Sequence, residues 1–433
     1  MIYLILLAGF VLRLISINQS LWLDEATTAL VARMSVHDIF TKFLPGDFHP
    51  PLYYLILKFW ASTFGFSEIT LRVPSIIFGL GTIYLTYLIA KKIFDQKVGL
   101  ISSLLVSTSG LFIYYSQEAR MYMLAAFLVT TLIYLFINKK WILFSLALMF
   151  LGMTDYVALF IIPIFLFFGI KDWKKILVSL TPLLIFFTVW KSIFLEQLLG
   201  GTKSVSTFIG WWRTLGELSY KNIALIPVKF IIGRVGFENK LIYSAIIVFL
   251  VLIFGYLLYK ARKSSNLVWA WLVIPIFIGI AVSFEIPILS YFRFLFCLPA
   301  FYILVASGVE KSGRYKNILL SIIILINLAT SFYYLFTPKF YREDWRLAAK
   351  TIGNSKIITP SNSQKEALIY YGKEMQIVDI SKISGKEPEV WLSRYVWEIF
   401  DPTDSVRKKI ENLGYNRFEE FNFNGVIFRK YTK

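Results

Sequence analysis

Charge is scarce in this chain of 433 residues: Asp, Glu, Lys and Arg together make up 17% of it, where soluble domains carry about 25%. Cysteine is almost absent. The single Cys297 lies in an apolar run with no second thiol to meet, so no intramolecular disulfide forms and the redox compartment stays open. Histidine is nearly as rare, with only His37 and His49, and no spaced Cys/His set for a metal exists. A glycine-rich phosphate loop and an internal repeat are missing too. Against these shortages, hydrophobic residues reach 57% and aromatic residues 18%. A soluble core cannot hide so many helices that are apolar all round, so the composition requires a membrane.

Apolar runs of bilayer-spanning length predict about eleven transmembrane helices, near 2–18, 72–90, 98–115, 119–137, 141–154, 156–170, 176–194, 241–259, 267–284, 289–309 and 317–336. No small-residue cleavage site follows the first run, which therefore reads as an uncleaved span. The net charge of +18 does not point to nucleic acid, because the basic residues sit in short clusters between apolar runs, where they meet membrane lipids. Lys91, Lys92 and Lys97, then Lys139 and Lys140, then Lys171, Lys174 and Lys175, then Lys260, Arg262 and Lys263, and finally Lys311, Arg314 and Lys316 fall in every second connection. Those connections are cytoplasmic by the positive-inside rule. The alternation holds only if residues 141–170 make two spans, and it puts the N-terminus inside and the C-terminal region outside.

The opposite connections differ in kind. Residues 19–71 form a first outer loop with two amphipathic helices, one starting near Asp24 and one from Pro51 to about Phe64. Residues 195–240 form a second, rich in Gly and Trp (Gly200, Gly201, Trp211, Trp212). Long loops in a compact domain are usually functional. From about Lys339 the composition turns soluble. Glu343-Asp344-Trp345 opens a helix, Lys356–Thr359 and Gln376–Ile380 read as strands, and Gln364–Tyr371 as a helix between them. The expectation is an all-α polytopic membrane bundle over 1–338 and a small extracytoplasmic α/β domain over 339–433.

The polar residues gather at outer ends. Asp24 and Glu25 begin the first outer helix, where acids also favour the helix dipole. Arg13 lies inside the first run about one turn from its end, a costly place without an acid, a phosphate or a snorkelling path. His49 precedes Pro50-Pro51 and is held extended by the first proline. Tyr115, Glu118 and Arg120 belong to Tyr114-Tyr115-Ser116-Gln117-Glu118-Ala119-Arg120, at the turn between two spans. Arg293 stands among apolar residues near the start of the tenth run, and Arg72 at the start of the second is more ordinary. Such a set suits transfer of a group off a membrane-anchored phosphate. Arginines neutralise the charge growing on the leaving phosphate, and a carboxylate takes the proton of an acceptor hydroxyl.

These stretches carry a resemblance. Leu21-Trp22-Leu23-Asp24-Glu25, His49-Pro50-Pro51-Leu52-Tyr53-Tyr54, Leu71-Arg72-Val73-Pro74-Ser75, Tyr115-Ser116-Gln117-Glu118-Ala119-Arg120 and Glu343-Asp344-Trp345-Arg346, in that order and spacing, resemble the GT-C superfamily of membrane glycosyltransferases. More narrowly, they look like the branch that includes protein O-mannosyltransferases and the lipid A aminoarabinose transferases. The resemblance implies a polyprenyl-phosphate sugar donor, a lipid, protein or glycan acceptor, and an inverting transfer at the outer face. Asp24 falls on the family's first-loop catalytic acid, with Glu25 as its helper. Arg120, Arg293 and Arg13 are then phosphate ligands, and His49, Glu118 and Tyr115 substrate contacts. No second Asp-rich motif is present, so no metal and no cofactor is expected. A transporter or flippase of lipid-linked sugars is the rival from another class. It calls for repeats and for ionisable residues at mid-membrane. An oligosaccharide ligase is the rival within the enzymes.

Overall fold

A computed structural model describes residues 1–207, 212, 214–361 and 364–433. Helices occupy all eleven places where apolar runs were expected, and the stretch 141–170 holds two short ones, Trp141–Gly152 and Val157–Phe168. Among the described residues, five segments are long and apolar enough to cross a bilayer: Glu68–Ile93, Ile170–Gly200, Lys240–Ala261, Tyr291–Glu310 and Gly313–Phe336. A sixth arises if Gln96–Thr108 and Gly110–Ser116, bent by 61° at Ser109, are one span. The others are apolar helices of 10–17 residues, including Ile2–Leu14, Tyr122–Ile137 and Asn266–Val282.

The bend at Ser109 has a local cause. The hydroxyls of Ser102, Ser103, Ser107 and Thr108 all bond back to carbonyls three or four residues earlier, which competes with the helical ladder and bends it. The gap receives another chain segment. Gly233, with φ +66, ends the helix Tyr220–Ile232 and lies so close that an added Cβ would sit 3.0 Å from the Leu111 amide nitrogen. Only glycine suits both that conformation and that approach.

The two ends of the bundle are chemically distinct. Lys92 reaches Asn138 at 2.6 Å, Lys139 reaches Asp172 at 2.8 Å, and Lys311 reaches Ser264 at 2.7 Å, so basic connections meet one another at one end. The first loop covers the other end with the helices Leu23–Arg33 and Leu52–Phe64, as anticipated. The second loop is not what was anticipated. The helix Trp173–Thr207 runs on through 195–207, and Tyr220–Ile232 is a further helix that buries Ile226 and Phe230. Apolar residues at helical spacing (Leu195, Leu198 and Leu199, then Ile226 and Phe230) override the Gly-Gly pair there. Trp211 lies outside the described residues.

The tail carries a four-stranded sheet in the order β1-β2-β4-β3, from Lys356–Ile358 (β1), Glu389–Ser393 (β2), Arg417–Phe423 (β3) and Val426–Thr432 (β4). Only β1 and β2 are parallel. Asp344 caps the helix Trp345–Ile352 by accepting the Leu347 amide at 2.9 Å. The predicted strand at Gln376–Ile380 does not form. Ile377 makes one bridge to Ile357 beside β1, and the flanks wind into the single turns Glu374–Gln376 and Ile380–Lys382 instead of extending.

Candidate active site

Glu25 is fully buried and its two oxygens are spent. Arg72 holds it bidentately, Nε to Oε1 at 2.9 Å and Nη2 to Oε2 at 2.6 Å, and the Ala119 amide donates to Oε1 at 2.8 Å. The rest of the Arg72 guanidinium donates to the carbonyls of Ile17, Gln19 and Ser20, which stop the first helix and turn the chain into the loop. Arg342, from the tail, lies 3.7 Å from Glu25 Oε2 and 3.1 Å from Glu118 Oε2. It also donates to the carbonyls of Tyr114 and Gln117. Burial works to raise the Glu25 carboxyl, but Arg342 and Arg72 hold it below the usual carboxylate range. Two carboxylates and two guanidiniums thus form one closed knot that joins the first loop, the Gln-Glu-x-Arg turn and the tail.

Arg13 is likewise occupied. It donates through Nε to Ser116 Oγ at 2.9 Å and through Nη1 to the carbonyls of Gly9 and Ser107, bracing the first helix against the Ser109 bend. Only its Nη2 lacks a partner. Tyr115 sits in an aromatic cluster with Tyr114, Tyr122 and Phe292.

Asp24 is different. It is the next residue to Glu25, yet its side chain is 40% exposed and its nearest cation, Arg120 Nη2, is 3.7 Å from Oδ2. Arg120 is buried, touches Thr28 Oγ1 at 3.3 Å, and leaves Nε without a hydrogen bond. From there the polar path runs to Asp47, which accepts from Tyr54 at 2.6 Å and lies 3.6 Å from His49 Nδ1. Burial tends to raise the Asp47 carboxyl, but His49, Arg120 and Tyr54 bring it down to about 2. His49 Nδ1 has no hydrogen-bond partner, and its ring lines a cavity of about 690 Å³.

That cavity has two chemistries. Phe160, Phe187, Phe194, Val282 and Ile288 make most of its wall apolar, while His49, Asp155, Glu285 and Arg293 supply the polar part. Asp155 caps the turn at Val157 by accepting the amides of Val157 and Ala158 at 2.7 and 3.0 Å. The half-buried Arg293 side chain makes no hydrogen bond or ion pair with any described residue, and Asp155 shares its cavity. A guanidinium partly withdrawn from water is suited to a ligand that supplies an anion.

The structure therefore brings Asp24, Arg120, His49 and Arg293 along one path. It places Glu25, Glu118 and Arg13 in the framework behind that path. Four residues went unnoticed in the sequence. Asp47 stands two before His49, and Asp155 in the short polar break between two apolar helices, both readable from local context. Arg342 had no local signal. Arg234, one residue past Gly233, lies 4.3 Å over the Tyr114 ring with no acid paired to it among the described residues.

Comparison with known proteins gives a family match over part of the chain and likenesses of the whole fold. Residues 48–198 match the family described as dolichyl-phosphate-mannose-protein mannosyltransferase. ArnT from Cupriavidus metallidurans, solved with undecaprenyl phosphate bound, superposes with a TM-score of 0.59 at 11% identity over 99% of this chain and 97% of that one. The archaeal oligosaccharyltransferase AglB from Archaeoglobus fulgidus, solved with an inhibitory peptide and a dolichol-phosphate, gives 0.54 at 11% identity over 98% of this chain and 74% of that one. An uncharacterized protein of Aquifex aeolicus is 25% identical over 360 residues, 75% of this chain, and the match spans 66% of that protein's length. The chain thus shares the fold of ArnT and AglB, and its residues 48–198 resemble the mannosyltransferase family.

Proposed function

We propose that this protein transfers a sugar from a polyprenyl-phosphate donor to an acceptor hydroxyl at the extracytoplasmic membrane face, with inversion at the sugar. The observation that carries this reading is the unpaired Arg293 in a cavity whose remaining wall is mostly apolar, with His49 and Asp155 beside it. A lipid phosphate ester offers an anion for the arginine and a hydrocarbon chain for the wall. ArnT of Cupriavidus metallidurans, which shares the fold, binds undecaprenyl phosphate.

In this reading Asp24 removes the proton of the acceptor hydroxyl, and the freed oxygen attacks the sugar carbon opposite the phosphate. The carbon–oxygen bond to phosphate breaks, and its electron pair leaves on the phosphate. Arg293 and Arg120 stabilise that charge, which grows only as the bond breaks. The partly exposed Asp24 can meet an acceptor, whereas Glu25 cannot. The N-terminus lies on the cytoplasmic side with the basic connections, and residues 339–433 lie outside as a separate soluble domain.

The test is sugar transfer in proteoliposomes given radiolabelled polyprenyl-phosphate sugars and a membrane extract as acceptor source. Wild type is expected to move label to a new acceptor, and Asp24→Asn to lose at least about a hundredfold of that rate. Label crossing the bilayer on its original lipid would instead mean a flippase. Normal turnover by a folded Asp24→Asn variant would overturn the base assignment.

A further inference from the structure

The Glu343-Asp344-Trp345-Arg346 motif lies in the tail, more than three hundred residues from Asp24, and the reaction above gives it no task. Its first residue is buried at the junction between the tail and the first loop. Glu343 Oε1 accepts from Tyr395 Oη at 2.7 Å and Oε2 from Trp345 Nε1 at 2.8 Å. The Leu23 amide, at the first turn of the helix that carries Asp24, is a third donor to this carboxylate. Trp345 and Tyr395 stack edge to face at 5.2 Å, which fixes both donors. Three donors thus converge on the Glu343 carboxyl and fix its orientation.

Other contacts make the junction rigid. Tyr371 accepts the Leu21 amide at 2.9 Å, the Arg346 amide donates to Ser20 at 3.2 Å, and the Arg346 guanidinium reaches Glu68 at 3.3 Å. The tail helix Glu366–Tyr370 packs on Leu23–Arg33. Every residue of Ser20-Leu21-Trp22-Leu23 except Trp22 is thereby bonded to the tail, immediately before the proposed base.

Resting on the reading of Asp24 as the base, we propose that Glu343 is its positioning residue: anchored by Trp345 and Tyr395, it holds the first turn of the helix that carries Asp24. The groups facing the pair are Arg120 and Glu366 toward Asp24, and Trp345 and Tyr395 toward Glu343. Burial, with Asp24 as a lesser contributor, raises the Glu343 carboxyl, while Trp345 and Tyr395 pull it back.

The test compares Glu343→Gln, Glu343→Asp and Tyr395→Phe with wild type in the proteoliposome assay, reading kcat and donor KM, with the melting temperature taken on the same preparation. Glu343→Gln keeps the shape but turns an NH2 group toward donors that need an acceptor. It is expected to lower kcat about tenfold with donor KM within twofold. Tyr395→Phe is expected to lower kcat a few-fold, and it serves if the Glu343 variants do not fold. An unchanged kcat in folded Glu343→Gln, or a loss confined to donor KM, overturns the proposal. If Asp24→Asn is as active as wild type, the reading of the base fails first, and the two failures are separate.

Discussion

Two clusters of arginine and carboxylate, a few residues apart in sequence, are built on opposite principles. In the knot around Glu25, every charge is answered within the protein: Arg72 and Arg342 find both oxygens of Glu25, one of Glu118 and several backbone carbonyls. Along the path from Asp24 to Arg293, charges are left half-answered: Arg120 Nε and His49 Nδ1 lack hydrogen-bond partners, and the Arg293 side chain makes no hydrogen bond or ion pair with any described residue. Charge in the first cluster is compensated within the protein, and in the second it is left partly open. The lesson is that burial alone does not mark a functional charge in a membrane protein, and that the state of its partners does.

Four variants would break or sharpen this contrast. The largest effect is expected for Asp24→Asn, with a loss of about 10²- to 10⁴-fold in transfer rate and an unchanged melting temperature, measured on the same preparation. Arg72→Ala should behave oppositely. Removing one partner of a buried pair costs about 3–5 kcal/mol, so the variant is expected to lose its folded yield or melt far lower, as checked by thermal scanning fluorimetry. Arg293→Gln should weaken polyprenyl-phosphate binding about 10- to 100-fold while melting no lower than wild type, because it removes a charge the protein does not pair. An Arg293→Gln protein that unfolds would place Arg293 with the framework and dissolve the distinction.

The smallest effect concerns pH. The Asp47 carboxyl, at about 2, lies below its ordinary value. Its stabilising contribution is therefore complete above the unfolded value of about 3.9 and is lost as pH falls through the folded one. Wild type should melt lower at pH 3 than at pH 5, and Asp47→Asn should narrow that gap. An equal gap in both proteins would mean that His49 and Tyr54 do not hold Asp47 as the structure shows.

Much of the architecture was legible from residues alone, because hydrophobic length and basic punctuation act locally. The helices of the first loop were found from Asp24 and from Pro50-Pro51, and the tail helix from Asp344. The β3–β4 hairpin was missed although its turn, Asn424-Gly425 with φ of +52 and +97, is a readable signal. The site was less legible. Asp24 and Glu25 look alike in sequence, and only the fold assigns one to the knot and leaves the other open. Arg72 was discounted as ordinary and is the centre of the knot, because its partner lies 47 residues earlier. Arg342 could not be found at all: its partners Glu25 and Glu118 are hundreds of residues away, and no spacing rule connects them.

Arg342 also has a bearing on biogenesis. The loop helix that carries Glu25 and the turn that carries Glu118 are synthesised long before it, so Glu25 has Arg72 as its partner early while Glu118 has no ion-pair partner among the described residues until Arg342 arrives. The first loop and the turn reach their final charge balance only when the tail has been made and has folded back onto them.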